Sequence, residues 1–352
     1  MSTRVLKTTR EMWAKELENE TIESHPMLKL LQANKRIKYN AHGTKIRETI
    51  KNNQLRLQGY ADMDPLTFAR KDLLDVFELG WRGYKVTDAI SEFEKLQNKG
   101  ESALIKLFES KAKSMEEDAN EQLPAEFYVD GNLAANSKRL HGIESFMGVN
   151  TGAQVATDVF ATTLSDSYGG ISTVKGALGG TDSTDPRYDF WSPVIVSTNR
   201  TGKTWANNAE TLMRDAFVEM TRSQRKGTAV DMVLLTRTAY KALVNNMGER
   251  ERVIVDRSDV GIRKFGFRDV VNLDGVDVTF DPDIPATDVN SDTVHGYGFT
   301  TSKMELQIMG GSLWHASGDA FDEETQAWRF WIGFYGNLVF KPRHFAKFVD
   351  LV

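Results

Sequence analysis

The chain has 352 residues, 44 Lys plus Arg against 49 Asp plus Glu for a formal net charge of −5, 40% hydrophobic residues and no cysteine. Disulfides, cysteine-ligated zinc, iron–sulfur clusters and thiol nucleophiles are excluded, and the acidic balance disfavours a globally basic nucleic-acid binder while leaving room for a local basic patch. The length, with 10% aromatic and 26% charged residues, suits roughly two globular domains with a real core.

The opening MSTRVLKTTREMWAKELENE is charged throughout, and no apolar run reaches membrane-spanning length. No leader and no membrane span are expected, so the protein should stay in the compartment where it is made. Residues 8–33 predict a helical arm, with Thr9 as a cap, Met12, Trp13 and Leu17 on one stripe, and Pro26 interrupting before Met27–Leu31 resume. From His42 to Val86 the texture becomes extended. Ile46, Ile50, Leu55 and Leu57 alternate with cations and amides, Asp62-Met63-Asp64-Pro65 makes a turn, and a second strand is predicted over Leu73–Val86. This long hairpin has too few apolar residues to stand alone and should lie on something else.

After Gly100, Leu104, Leu107, Phe108, Ala112, Met115 and Ala119 fall at helical spacing until Pro124 stops the run. Residues 125–201, rich in Gly, Ser, Thr and Asp, predict long loops with short strands such as Val194–Thr198. An α/β unit follows: a helix Asn208–Gln224 with Asn207 as candidate cap, a buried strand Val230–Thr236, and a short helix capped by Thr236. Further strands are expected at Val253–Asp256, Val276–Phe280 and Met304–Ile308, and a terminal strand places Trp328, Phe330, Ile332 and Phe334 on one face.

Charge is unevenly distributed. Lys29–Arg56 carries eight cations and one anion, net +7, whereas Glu109–Asp130 carries seven anions and two cations, net −5. Such segments either lie on two separate solvated faces or meet within or between subunits.

Catalytic patterns are absent. Gly202-Lys203-Thr204 sits between a strand and a helix, but Ser197 occupies the place where a phosphate-binding GxxxxGK[ST] loop needs its first glycine, so the segment reads as a turn. The six histidines show no HxxH, HxH or HExxH spacing. Asp281-Pro282-Asp283 and the group Asp319, Asp322, Glu323, Glu324 lack the DxDxDG logic of a calcium loop. There is no GxSxG elbow and no dinucleotide fingerprint. No cofactor, metal or catalytic residue is expected, and the protein is read as a non-enzyme.

The order of parts nevertheless resembles one family. HGTKIRETIKNNQLRLQGY and LLDVFELGWRGYKV look like an extended E-loop, ESALIKLFESKAKSMEEDANEQL like a spine helix, NAETLMRDAFVEMTRSQRKGTAVDMVLLTRTAYKAL like the helix–strand–helix of an axial domain, and GFYGNLVFKPRHFAKFVDL like a returning C-terminal segment. Together they resemble the HK97-type major capsid proteins of tailed bacteriophages across nearly the whole chain. The resemblance implies an α+β HK97-like capsid fold with an N-terminal arm (1–41), an E-loop hairpin (42–86), and a peripheral domain (87–200) whose spine helix covers about 101–123. An axial domain (201–320) and a C-terminal strand returning to the peripheral domain (321–352) complete the expected organisation.

It also implies pentamers and hexamers of the chain in an icosahedral shell around double-stranded DNA, assembled in the host cytoplasm and resident in the virion. Further implied partners are a scaffolding protein, a portal protein and a decoration protein, with no membrane involved. Only about 40 residues precede the hairpin, so a separate scaffolding protein is expected rather than a fused one. In that family the E-loop lies on a neighbouring subunit, which implies that Lys45, Arg47, Lys51 and Arg56 face Glu116, Glu117, Asp118 or Glu121 of the adjacent copy. Some relatives also cross-link an E-loop lysine; Lys51 stands in that region, without an identifiable asparagine or carboxylate partner. Two alternatives stay open: an encapsulin-like compartment loaded with protein cargo, and a cytosolic α/β enzyme.

Overall fold

The computed structural model describes residues 18, 21–22, 25–51, 57–66, 68, 73–97, 101–148, 160, 164, 166–181, 185, 187–198, 202–221, 230–248, 270–316 and 320–351. In chain order these form helix α1 (Pro26–Ala33), strands β1 (Ile37–Lys38), β2 (Ile46–Lys51), β3 (Leu74–Leu79) and β4 (Arg82–Ser91), and helices α2 (Glu92–Gln97) and α3 (Glu101–Gln122). Then come β5 (Ser167–Tyr168), β6 (Ile171–Ser172), β7 (Val194–Ser197), α4 (Trp205–Thr221), β8 (Met232–Leu235), α5 (Arg237–Gly248), β9 (Val271–Leu273) and β10 (Val276–Phe280). The last elements are β11 (Thr293–Phe299), β12 (Met304–Ile308), β13 (His315–Ala316), β14 (Ala320–Asp322), β15 (Ala327–Phe340) and β16 (Phe345–Asp350).

Two six-stranded sheets organise the molecule. In one, β15 pairs with β12, β13 and β14 along one edge and with β4 along the other, and β1 adds to β12 in parallel. The other runs β7-β16-β11-β8-β10-β9. Strands β7, β8 and β16 are buried on both faces, which is why Met232–Leu235 reads as an unbroken apolar run. One face, with Val194, Val196, Val233, Leu235 and Phe348, packs against Trp205, Leu212, Met213 and Ala216 of α4 and Leu243 of α5. The opposite face contributes Ile195, Met232, Leu234 and Phe345 to a larger core shared with α1, α3 and the first sheet. Sheet membership does not follow chain order: β7 and β16 lie in the second sheet, β12 and β13 in the first.

The predicted long helix is present, and its last turns bury Met115 and Ala119, followed by Leu123. Helix α4 starts at Trp205, so the expected cap at Asn207 is instead inside the helix. The reason is tertiary: the Trp205 indole is buried, stacks on His295 at 4.9 Å and donates to the Ala239 carbonyl at 3.0 Å, which fixes the first turn earlier. Thr236 does cap α5, accepting from the Ala239 amide at 3.3 Å. Of the expected arm helix, α1 begins at Pro26, a residue suited to a first helical position; Thr9, Met12, Trp13 and Leu17 lie outside the described residues, as does the strand expected at Val253–Asp256.

One expectation fails outright. Leu73–Val86 is not a single return strand, because the chain breaks at Gly80-Trp81: β3 ends at Leu79, and β4 pairs over its whole length with β15. Asn337 holds that break, donating its side-chain amide to the Gly80 carbonyl at 2.8 Å. Only β2 and β3 form the projecting hairpin, with Ile46 opposite Leu79 and Lys51 opposite Leu74.

Candidate intersubunit surface

Burial falls steeply along the hairpin. At its root Ile46, Phe77 and Leu79 are buried, and the Phe77 ring lies 5.2 Å from Tyr168 and 5.9 Å from Trp191. Gly169 closes this contact, since its φ of +61° and a notional Cβ only 2.0 Å from the Phe77 ring leave room for no side chain. Its carbonyl accepts from the Glu78 amide at 3.0 Å, tying the hairpin to the β5–β6 turn.

Beyond the root, the side chains face outwards. Leu57 is 101% exposed, Met63 95% and Phe68 92%, and Tyr60, Leu74 and Val76 are also exposed. A two-stranded ribbon is marginal in water by itself, and a concentration of large apolar side chains on it marks a surface that another molecule covers. Of this set the sequence pattern places Leu57 as an alternating strand residue and Met63 in a turn, and does not single out Phe68. The signal was nonetheless legible, as Leu57, Met63 and Phe68 interrupt a polar stretch.

The predicted site residues divide. Lys45 and Arg47 both bind Glu78 of their own hairpin, at 3.0 and 2.8 Å. The Lys45 hydrogen bond is the main reason the Glu78 carboxyl is held below its ordinary range, with Arg47 adding to it. Lys51 is exposed at the distal end of β2, and Arg56 lies outside the described residues. On α3, Glu117, Asp118 and Glu121 are exposed and Glu116 is partly buried. Among the described residues, no ion pair joins Glu117, Asp118 or Glu121 to Lys45, Arg47 or Lys51.

The α3 carboxylates are poorly placed for the helix itself. Glu117 and Glu121 are like charges four residues apart, a destabilising arrangement on an isolated helix. They also sit in its C-terminal half, where the macrodipole favours cations.

The other polar clusters serve the fold. Lys347 is buried and donates to Glu144 at 2.8 Å and Asp288 at 2.7 Å, and the Tyr297 hydroxyl also donates to Glu144. Burial pulls the Lys347 ammonium down, but the two carboxylates outweigh it and leave it raised. The buried Arg343 pairs with Asp189 at 3.2 Å. Asp281 accepts from the buried Tyr128 hydroxyl at 2.7 Å and Asp283 lies 3.2 Å from His25. Lys203, from the GKT turn, lies 3.8 Å from Asp215 of α4. Among the described residues no three His, Asp or Glu side chains are grouped to hold a metal ion, and no helix is long and apolar enough to cross a membrane.

No family model and no curated protein matches the sequence. Solved structures do. The Cyanophage A-1(L) capsid asymmetric unit aligns with a TM-score of 0.55 at 15% identity, over 93% of this chain and 92% of that one. The capsid of Myoviridae Phage XM1 aligns at 0.53 and 12% identity over 92% of each chain. The capsid of the native GTA particle, computed with C5 symmetry, aligns at 0.53 and 10% identity over 92% and 91%. The chain has the HK97-like capsid fold.

Within this HK97-like fold, the exposed hairpin and the acidic end of α3 are two described surfaces whose chemistry the single chain leaves incomplete. One presents apolar side chains to water, and the other presents carboxylates against the preference of their own helix.

Proposed function

We propose that this chain is the major capsid protein of a tailed bacteriophage, which self-assembles as pentamers and hexamers into an icosahedral shell around double-stranded DNA. The observation that carries the reading is the fold likeness, which extends over nine-tenths of both chains for capsids of several phages. The exposed apolar hairpin supports it independently, because a soluble monomer gains nothing from Leu57, Met63 and Phe68 in water. The role is structural, and the place is the virion.

In this assembly the hairpin lies across a neighbouring copy. Leu57, Met63 and Phe68 supply apolar contact. Lys51 and Arg56, rather than the internally paired Lys45 and Arg47, meet Glu117, Asp118 and Glu121 at the end of the neighbour's α3. The arm takes residues 1–41, the hairpin starts at 42, the spine is α3, the axial unit is built on the β7–β11 sheet with α4 and α5, and β15 carries the chain back along the peripheral sheet. A scaffolding protein, a portal protein and a decoration protein complete the particle, which forms in the host cytoplasm.

Expression of the full chain, alone and with a scaffolding protein, followed by negative-stain microscopy tests the reading. Closed shells support it; a monomer or dimer under every assembly condition overturns it. Nuclease-protected DNA in particles from infected cells, rather than protein cargo, separates a virion from an encapsulin-like compartment.

A further inference from the structure

One end of the first sheet gathers cations that outnumber the carboxylates beside them among the described residues. Strand β1 runs parallel to β12, and β12 antiparallel to β15. Arg36 before β1, Lys303 before β12 and Lys341 after β15 therefore stand in a row at the same sheet end. Backbone bonds fix the juxtaposition: the Leu306 amide donates to the Arg36 carbonyl at 3.0 Å and the Lys341 amide to the Lys303 carbonyl at 3.1 Å. Arg36 stands level with Glu305, two residues along β12 from Lys303, while Lys303 and Lys341 are directly opposed; with about 4.8 Å between neighbouring strands, the backbone span from Arg36 to Lys341 is roughly 12 Å.

The surrounding charges do not cancel it. Glu305 is taken by Lys38 at 2.7 Å, and Glu48 comes only within 4.0 Å of Lys341. Arg36 and Lys303 make no ion pair among the described residues. Burial, together with Lys341 and Arg36 alongside, holds the Lys303 ammonium below its ordinary range. Burial and the cations Lys303, Arg343 and Lys341 push His344 down to about 4, so it adds no charge at neutral pH. Like charges are thus held close at a cost that a bound anion would relieve.

We infer that Arg36, Lys303 and Lys341 form a row of phosphate contacts that receives a nucleic-acid backbone, an inference that rests on the capsid reading and assigns the DNA-facing patch within it. A linear row suits successive phosphates of a polymer better than one isolated ion. Arg36 supplies a planar fork and the two lysines supply mobile point charges. The chain as a whole is acidic, so contact with DNA has to be local.

The test uses the full chain before assembly and a short fluorescein-labelled DNA duplex, read by anisotropy across a salt series. Three phosphate contacts give a log–log salt slope of about −2.7, or roughly 40-fold weaker binding at 200 mM than at 50 mM salt. Arg36→Gln/Lys303→Gln/Lys341→Gln should remove that slope. Lys113→Gln/Arg237→Gln/Lys241→Gln, which removes the same charge from exposed positions elsewhere, should keep it. Equal loss in both variants, or an unchanged slope in the first, overturns the inference. So does a first variant that binds the duplex normally but no longer forms particles, which would assign the row to carboxylates of a second copy. Calorimetric titration with inorganic phosphate alone should give no saturable heat; saturable heat without duplex binding would overturn the polymer assignment. Microscopy of the unsubstituted protein is scored separately: absence of shells defeats the capsid reading, while the slope comparison still decides the row.

Discussion

The hairpin's root and tip should answer to different assays. Phe77 is 1% exposed, against Tyr168, Trp191 and the Gly169 turn. Truncating a buried Phe to Ala typically costs about 3–5 kcal/mol, the lost transfer energy plus the cavity, and domain stability is typically about 5–15 kcal/mol. Phe77→Ala should therefore lower the urea midpoint of the unassembled chain sharply, with an altered emission from Trp191, whose ring is 5.9 Å away. The triple variant Leu57→Ser/Met63→Ser/Phe68→Ser alters only exposed side chains, so its unfolding free energy should change by no more than about 0.5 kcal/mol per site. Covering each of these side chains with a neighbour is worth about 1.5–3 kcal/mol, so the same variant should raise the concentration needed for assembly by more than tenfold, measured by sedimentation. A triple variant that unfolds as easily as Phe77→Ala, or one that assembles normally, would refute the reasoning.

Three further outcomes are expected. Lys347→Met leaves Glu144 and Asp288 buried without their cation and should cost about 3–5 kcal/mol in chemical denaturation; a neutral result would mean the triad is already protonated or hydrated. Burial, with Arg82 adjacent, pushes His141 down to about 4, and His344 is pushed to a similar value. The unfolded chain then binds protons that the folded chain refuses, so stability should fall as pH drops from about 6.5 to 4, by up to about 3 kcal/mol per histidine. Asp166, raised to about 6 chiefly by burial, works in the opposite sense from about pH 6 downwards, and His344→Gln should make the acid-side decline shallower. Glu117→Lys/Glu121→Lys should leave the melting temperature of the unassembled chain unchanged or higher, given the helix C-terminal position, while lowering particle yield; normal yield would remove these residues from the interface.

Much of the fold was legible because burial imposes periodicity. Met115 and Ala119 repeat at helical spacing because one face of α3 meets the core, and Phe330, Ile332 and Phe334 alternate because β15 has one face inward. The misread segment held a signal that a single-strand reading passes over. The inward positions of Leu73–Val86 change phase at Gly80-Trp81, from Phe77 and Leu79 to Tyr84 and Val86, which one unbroken strand does not allow. What divides it is the partner: β3 pairs with β2 and β4 with β15, some 250 residues further along the chain, and the Asn337 amide holds the corner. Likewise the start of α4 depends on where Trp205 finds His295, a contact that no local propensity encodes.

The charge pattern was the most informative and the most incomplete signal. The +7 run from Lys29 to Arg56 reads as one basic segment, yet the fold gives its members different work. Lys45 and Arg47 are spent on Glu78 and Lys38 on Glu305, all within the chain. Arg36 joins Lys303 and Lys341, which lie hundreds of residues away in sequence and at the same sheet end in space. Lys51 remains exposed beside the apolar tip. A run of like charge is therefore only an upper bound on the charge available to a partner, and the interface argument rests on the cations left over once the chain's own carboxylates are satisfied. In the proposed assembly the hairpin docks chiefly through its apolar side chains, with Lys51 and the α3 carboxylates setting register, so raising the salt concentration should shift the assembly threshold less than the Leu57, Met63 and Phe68 substitutions do.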